Sequence, residues 1–163
     1  MVNKHPFPFM TWSMLLLANL TFSACQQSEP DVDALDAFID AWHQAASEAD
    51  SATYFGSMAA DGVFQGTDET EYWTVGEFAA WSHIYFKRDE AWTFVPVERQ
   101  FYSQGNTAWW AEKLDSDHMS RTRGNGVAMW EDGRWQIKHY ALSFHVSNEN
   151  ADALKALEMA LEE

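Results

Sequence analysis

Two hydrophobic periods divide the chain. Over residues 31–86 apolar side chains recur every three or four positions, whereas over 91–146 they mostly alternate. Val32, Leu35, Phe38, Ile39, Trp42 and Ala46 share one face of a helix predicted over 31–49. Asp31, Asp33 and Asp36 sit at its N-terminal end, where the helix dipole favours negative charge. Ser51 is placed to cap a second, short helix carrying Tyr54, Phe55 and Met58. Asp61-Gly62 reads as a turn and 63–66 as a short strand running into the polar stretch 67–73. Thr74 and Glu77 have the spacing of a capping box, which opens a third helix over 74–86 with Phe78, Trp81 and Tyr85 as its buried stripe.

The alternating half predicts four strands, 92–103, 107–115, 121–131 and 134–146, arranged as an antiparallel meander. Gly105-Asn106, the polar 116–120 and Asp132-Gly133 connect them. Asp-Gly between β-rich runs is a strong hairpin signal, because a type I′ turn needs positive φ at both central residues. With that turn as the loop, Glu131 faces Arg134, Trp130 faces Trp135, and Gly126 faces His139, where a missing side chain leaves an imidazole room. A last helix, 148–161, carries Leu154, Leu157 and Leu161 on one side. Helices first and a curved sheet afterwards give an α+β domain with the helices on one sheet face.

Composition adds a cell address and one open question. At 163 residues there is room for one core, and with 47% hydrophobic and 15% aromatic residues, nine of them tryptophan, the rings either fill that core or line a cavity. The N-terminus is a processing segment: Lys4 precedes an apolar run, 9–20, too short to span a bilayer. Phe22-Ser23-Ala24-Cys25, with small residues before the chain's single cysteine, resembles a bacterial lipoprotein signal; an ordinary secretory signal would instead leave Cys25 as a lone thiol. The resemblance implies a signal peptide over 1–24, a lipidated Cys25, a tether over 25–30, and membrane attachment by several acyl chains in a bacterial cell envelope. Gln26, in place of the aspartate linked to inner-membrane retention, favours the outer membrane facing the periplasm. The formal net charge of −15, one unit more negative once Lys4 is removed, repels phosphate backbones and makes nucleic acid a poor partner.

Four stretches carry a family likeness: Gly66-Thr67-Asp68 with Glu71 and Trp73; Arg123-Gly124-Asn125-Gly126-Val127; Asp132-Gly133-Arg134-Trp135 with Ile137; and Leu142-Ser143-Phe144 with Val146, Asn148 and Glu149. Together with the element order, they resemble a SnoaL-like domain of the nuclear transport factor 2-like superfamily over 31–148, leaving 149–163 as a C-terminal helix. The resemblance implies a cone-shaped fold in which a curved, mostly antiparallel sheet and N-terminal helices enclose a pocket, often as a homodimer through the open sheet face. The superfamily holds isomerases, cyclases and hydrolases beside binding modules without catalysis, so the fold alone leaves function open.

Two residues are candidates for catalysis. His139 shares a predicted concave face with Trp135, Ile137, Ala141 and Ser143, in a cross-strand row with Trp109 and Tyr102; it serves either as a general base or acid, or as a neutral core histidine. Asp68 follows a strand end at the implied pocket rim. Beside Phe64 and Trp73 its carboxyl would titrate high enough for proton transfer; otherwise it caps an Asx turn, and Glu71 has the same two readings. Arg99, Glu112 and Arg123 line up across three strands, with Glu112 opposite both arginines. They form either a charge ladder or an anion site with Arg123 as its cation. Trp73, Tyr102, Trp109 and His83, near the apolar stripe of the third helix, complete the ligand-binding candidates, while His43 and His118 read as surface residues.

The scattered histidines offer no metal site, and phosphate loops, nucleophile elbows and dinucleotide fingerprints are absent, so no cofactor is expected. The expected function is a lipid-anchored envelope protein whose pocket binds a small, largely apolar molecule without turnover. The alternatives are an isomerase- or cyclase-type enzyme moving a proton with Asp68 and His139, or a structural dimerisation module.

Overall fold

The computed structural model describes residues 30–161. Helices α1 (Leu35–Ser47) and α2 (Ser51–Gly56) lead into β1 (Met58–Gln65), β2 (Tyr72–Thr74) and α3 (Val75–Ser82). Strands β3 (Val95–Gln104), β4 (Thr107–Asp115), β5 (Thr122–Glu131) and β6 (Arg134–Phe144) follow, and α4 (Ala151–Leu161) comes last. The six strands make one sheet in the order β2-β1-β6-β5-β4-β3, antiparallel at every pairing except β1 with β6. The expected α+β architecture, N-terminal helices on a mostly antiparallel sheet, is therefore present. The signal peptide, Cys25 and all of the tether but Pro30 lie outside the described residues.

The local signals explain most boundaries. Asp132 and Gly133 take the positive φ values, 52° and 77°, that the β5–β6 hairpin requires. At α3 both halves of the capping box form, with the Thr74 hydroxyl accepting from Glu77 N–H and the Glu77 carboxylate accepting from Thr74 N–H at 2.9 Å. At α2 the cap is Asp50 rather than Ser51: its carboxylate accepts from Thr53 N–H at 3.1 Å. Asp61-Gly62 is no turn but part of β1. The pairing with β6 jumps from Met58↔Ile137 to Val63↔His139, so residues 59–62 bulge out. Gly62 is needed there because a Cβ would meet the Ala59 carbonyl at 2.9 Å and the Ile137 carbonyl at 3.0 Å. Tyr72 and Trp73, read as the end of the polar stretch, form with Thr74 an edge strand that pairs with β1. The third helix stops at Ser82, four residues early, and the chain passes through turns before β3.

The core lies between α1 and one sheet face. Leu35, Ile39, Trp42 and Ala46 join Trp110, Leu114, Ile137 and Tyr140 in one buried cluster. Along β5 the residues on this face are small, Gly124, Gly126 and Ala128, and they sit beneath the large side chains of β4 and β6. By contrast, α4 buries no residue; Leu154, Leu157 and Leu161 are all exposed.

One bulge redirects the sheet's chemistry. The β5–β6 register starts as predicted, Glu131↔Arg134 through Ala128↔Ile137, then skips Lys138, so Val127 faces His139 and Gly126 faces Tyr140. Beyond the bulge the faces exchange: Tyr140 and Leu142 turn into the core, while His139, Ala141 and Ser143 turn outward. Burial of the larger rings and Leu142 drives this choice, and the displaced Lys138 is held outside by Asp61 at 2.7 Å and Glu131 at 3.2 Å. Gly126 accordingly makes room for Trp110, not for His139: a Cβ at 126 would lie inside the indole. Gly126→Ala should therefore cost about 1–3 kcal/mol of stability by overpacking. Urea titration checks this, and an unchanged midpoint would show that Trp110 has room to move.

Candidate functional site

A cavity of about 330 Å³ opens between α3, β1 and the segment linking α3 to β3. Phe64 and Phe78 form its floor as stacked rings, with centroids 3.9 Å apart and planes 13° from parallel. Trp73 continues that stack against Phe78 at 5.5 Å and 11°, and Trp81 lies over Trp73 at 4.9 Å. Trp92, stacked on Phe78 at 5.9 Å, and Phe94 also line it, and Leu142 and Met119 complete the apolar lining. Thr67, Glu71 and the Tyr85 phenol are the polar side chains that face it. The volume is at the small end of ligand pockets, and the apolar lining with a few polar groups is typical of them.

Behind the Phe64 ring lies a buried polar network centred on Glu112. Its Oε1 accepts from Tyr140 O–H at 2.8 Å, from His43 Nε2 at 3.0 Å and from Trp110 Nε1 at 3.2 Å; its Oε2 accepts from Arg99 Nε at 2.8 Å. An ionised carboxylate only accepts, so His43 must carry its proton on Nε2. Burial opposes ionisation of Glu112, but the His43 hydrogen bond and the charges of His43 and Arg99 outweigh it and hold the carboxyl at about 2. Arg99 reaches on to Asp36 and to Asp40 at 2.7 Å, one turn apart on α1, and burial together with the Glu112 carboxylate drives the Tyr140 phenol upward. Gly124 completes the arrangement, because a Cβ there would strike the Tyr140 hydroxyl.

The sequence candidates are distributed over both sheet faces. Trp73 lines the apolar cavity, and Glu71, read beside Asp68, lines it too. Asp68 is not among the lining residues: it is exposed, and its Oδ1 accepts from the Thr70 hydroxyl at 2.6 Å and Thr70 N–H at 2.9 Å. These bonds lower its titration instead of raising it. His83 is exposed on the far side of α3, beside Phe55, Phe86 and Lys87. Tyr102, Trp109 and His139 do share a cross-strand row, through Val127, but on the sheet face away from α1, around a separate hollow of about 360 Å³. Asp68 and His139 therefore do not converge on one cavity.

Glu112 faces Arg99 as expected, but its β5 neighbour is Gly124. Arg123 pairs with Lys113 and turns outward, within 3.5 Å of His145 Nε2, because the β4–β5 connection is one residue longer than the predicted register allows. His43, read as a surface residue, is only 7% exposed. Its spacing from Ile39 and Ala46 already put it on the apolar face of α1. Among the described residues, no group of three His, Cys, Asp or Glu is placed to hold a metal ion.

Residues 35–147 match the SnoaL-like domain family, and the chain belongs to it. Solved structures share the nuclear transport factor 2-like fold. An NTF2-like protein of unknown function from Pseudomonas putida KT2440 superposes with a TM-score of 0.60 at 15% identity, covering 72% of this chain and 89% of that one. A provisional ketosteroid isomerase from Shewanella frigidimarina NCIMB 400 gives 0.55 at 22% identity, over 68% of this chain and 94% of that one. A provisional calcium/calmodulin-dependent protein kinase II association domain from Xanthomonas campestris gives 0.55 at 16%, over 72% and 89%. At these identities the likeness is one of fold. No curated protein matches the sequence.

Glu112→Gln should destabilise the protein by about 1.5–3 kcal/mol at neutral pH, since it removes the buried counter-charge of Arg99 while Asp36 and Asp40 remain on the guanidinium. The wild-type contribution is complete above the unfolded carboxyl value of about 4.3 and disappears as pH falls toward about 2. Denaturant titrations over that range should show a steep acid slope in the wild type and a flatter one in the variant. Equal slopes would mean that Glu112 is not the group responsible.

Proposed function

We propose that the protein is a lipid-anchored cell-envelope binding module whose aromatic cavity holds a small, largely apolar molecule without turning it over. The observation that carries this reading is the lining itself. Ring faces, Leu142 and Met119 dominate it, while the groups best suited to proton transfer, His43, Glu112 and Tyr140, are engaged with one another behind the Phe64 ring. A catalytic pair needs base and acid aimed at one point. The Shewanella neighbour bears an isomerase name, but here Asp68 is tied into its own turn and His139 is on the opposite sheet face.

The anchor is part of the same proposal. No helix among the described residues is long and apolar enough to cross a membrane, and the Ser-Ala-Cys sequence ending at Cys25 supplies the chemistry for acylation instead. The outer sheet face, where Tyr102 stacks on Trp109 at 6.0 Å and Val97 is exposed, is the surface we assign to a second copy of the chain.

Naphthalene, as a neutral flat probe, should perturb tryptophan emission and raise Tm. Thr67→Trp, which puts a bulky ring in place of a small lining residue, should abolish both effects, and undiminished binding by that variant would sink the pocket assignment. Cys25→Ser should move the protein from the membrane fraction to the soluble fraction; persistence on membranes would overturn the anchor.

A further inference from the structure

The next inference rests on reading the hollow as a binding pocket and concerns the charge it selects. Aromatic rings dominate its lining, and Phe64, Trp73 and Phe78 stack with their planes within 24° of one another. Such a lining accepts the apolar body of a guest whatever its charge, so a charge preference has to come from the polar groups at its edge. No Lys, Arg or His side chain is among the lining residues, and the one carboxylate is that of Glu71.

Glu71 is held in place by the backbone. Its Oε2 accepts from Asp68 N–H at 3.2 Å, while Oε1 takes no hydrogen bond from the described residues. Gly66, itself part of the lining, is what lets the carboxylate fold back here, since a Cβ at 66 would occupy the position of Oε2. A neutral apolar guest would require no anion at this edge, and an anionic guest would be repelled by it and by the chain's charge of −15. We propose that the cavity selects a small organic cation, a quaternary ammonium or protonated amine on an apolar body, with the aromatic lining around the body and Glu71 as its counter-charge.

Three probes of nearly one shape separate charge from fit: phenyltrimethylammonium, tert-butylbenzene and benzenesulfonate. Titrated into the full chain and followed by tryptophan emission and calorimetry, they should bind in the order cation, neutral, anion. The cation should lead the neutral probe by about tenfold through its attraction to the Glu71 carboxylate. In Glu71→Gln, which keeps the bond from Asp68 N–H and should melt within a few degrees of wild type, that lead should vanish while tert-butylbenzene binding is unchanged. If tert-butylbenzene matches the cation in the wild type, or the lead survives in Glu71→Gln, the charge selection is overturned and the apolar pocket stands. If no probe binds, the pocket reading falls and this inference with it.

Discussion

The interior is built around one ionised carboxylate. Glu112 on β4 takes donors from α1, β3, β6 and its own strand, so helix position, strand order and hairpin register all meet on two oxygen atoms. A charge so deeply placed is unfavourable unless nearly every lone pair is used, and here the surroundings supply one guanidinium, one phenol, one indole and one imidazole. The small residues of β5 are part of this arrangement. Gly124 clears the path between Tyr140 and Glu112, and Gly126 clears the indole of Trp110.

Phe64 stands between the Glu112 network and the apolar cavity, stacked on Phe78 at 3.9 Å and on Tyr140 at 5.8 Å. The interior is thus divided into a polar centre, which orders the fold, and an aromatic chamber beside it.

Much of the fold was legible because its signals are local. The capping box at Thr74, the Asp-Gly turn and the helical stripe of α1 each need only a few neighbouring residues, and each formed. The site was less legible because it hangs on two single-residue offsets. The bulge at Lys138 exchanged His139 for Tyr140 on the inner face, and the β4–β5 connection exchanged Arg123 for Gly124. Strict alternation predicts neither, because one extra residue inverts every side chain beyond it. The spacing of large residues in β6, Trp135, Ile137, Tyr140 and Leu142, did contain the break: the interval of three marks the bulge. His43 was missed because a histidine beside Trp42 reads as polar until its partner, 69 positions away, is known.

The parallel pairing of β1 with β6 has a temporal meaning as well. The strand that closes against the first one is the last made, so the sheet cannot zip shut until nearly the whole chain is available. Loop closure across such a separation is entropically slow, and the early helices meanwhile expose their apolar stripe. The pairing that joins the β1–β2 edge to the rest of the sheet therefore has to await β6.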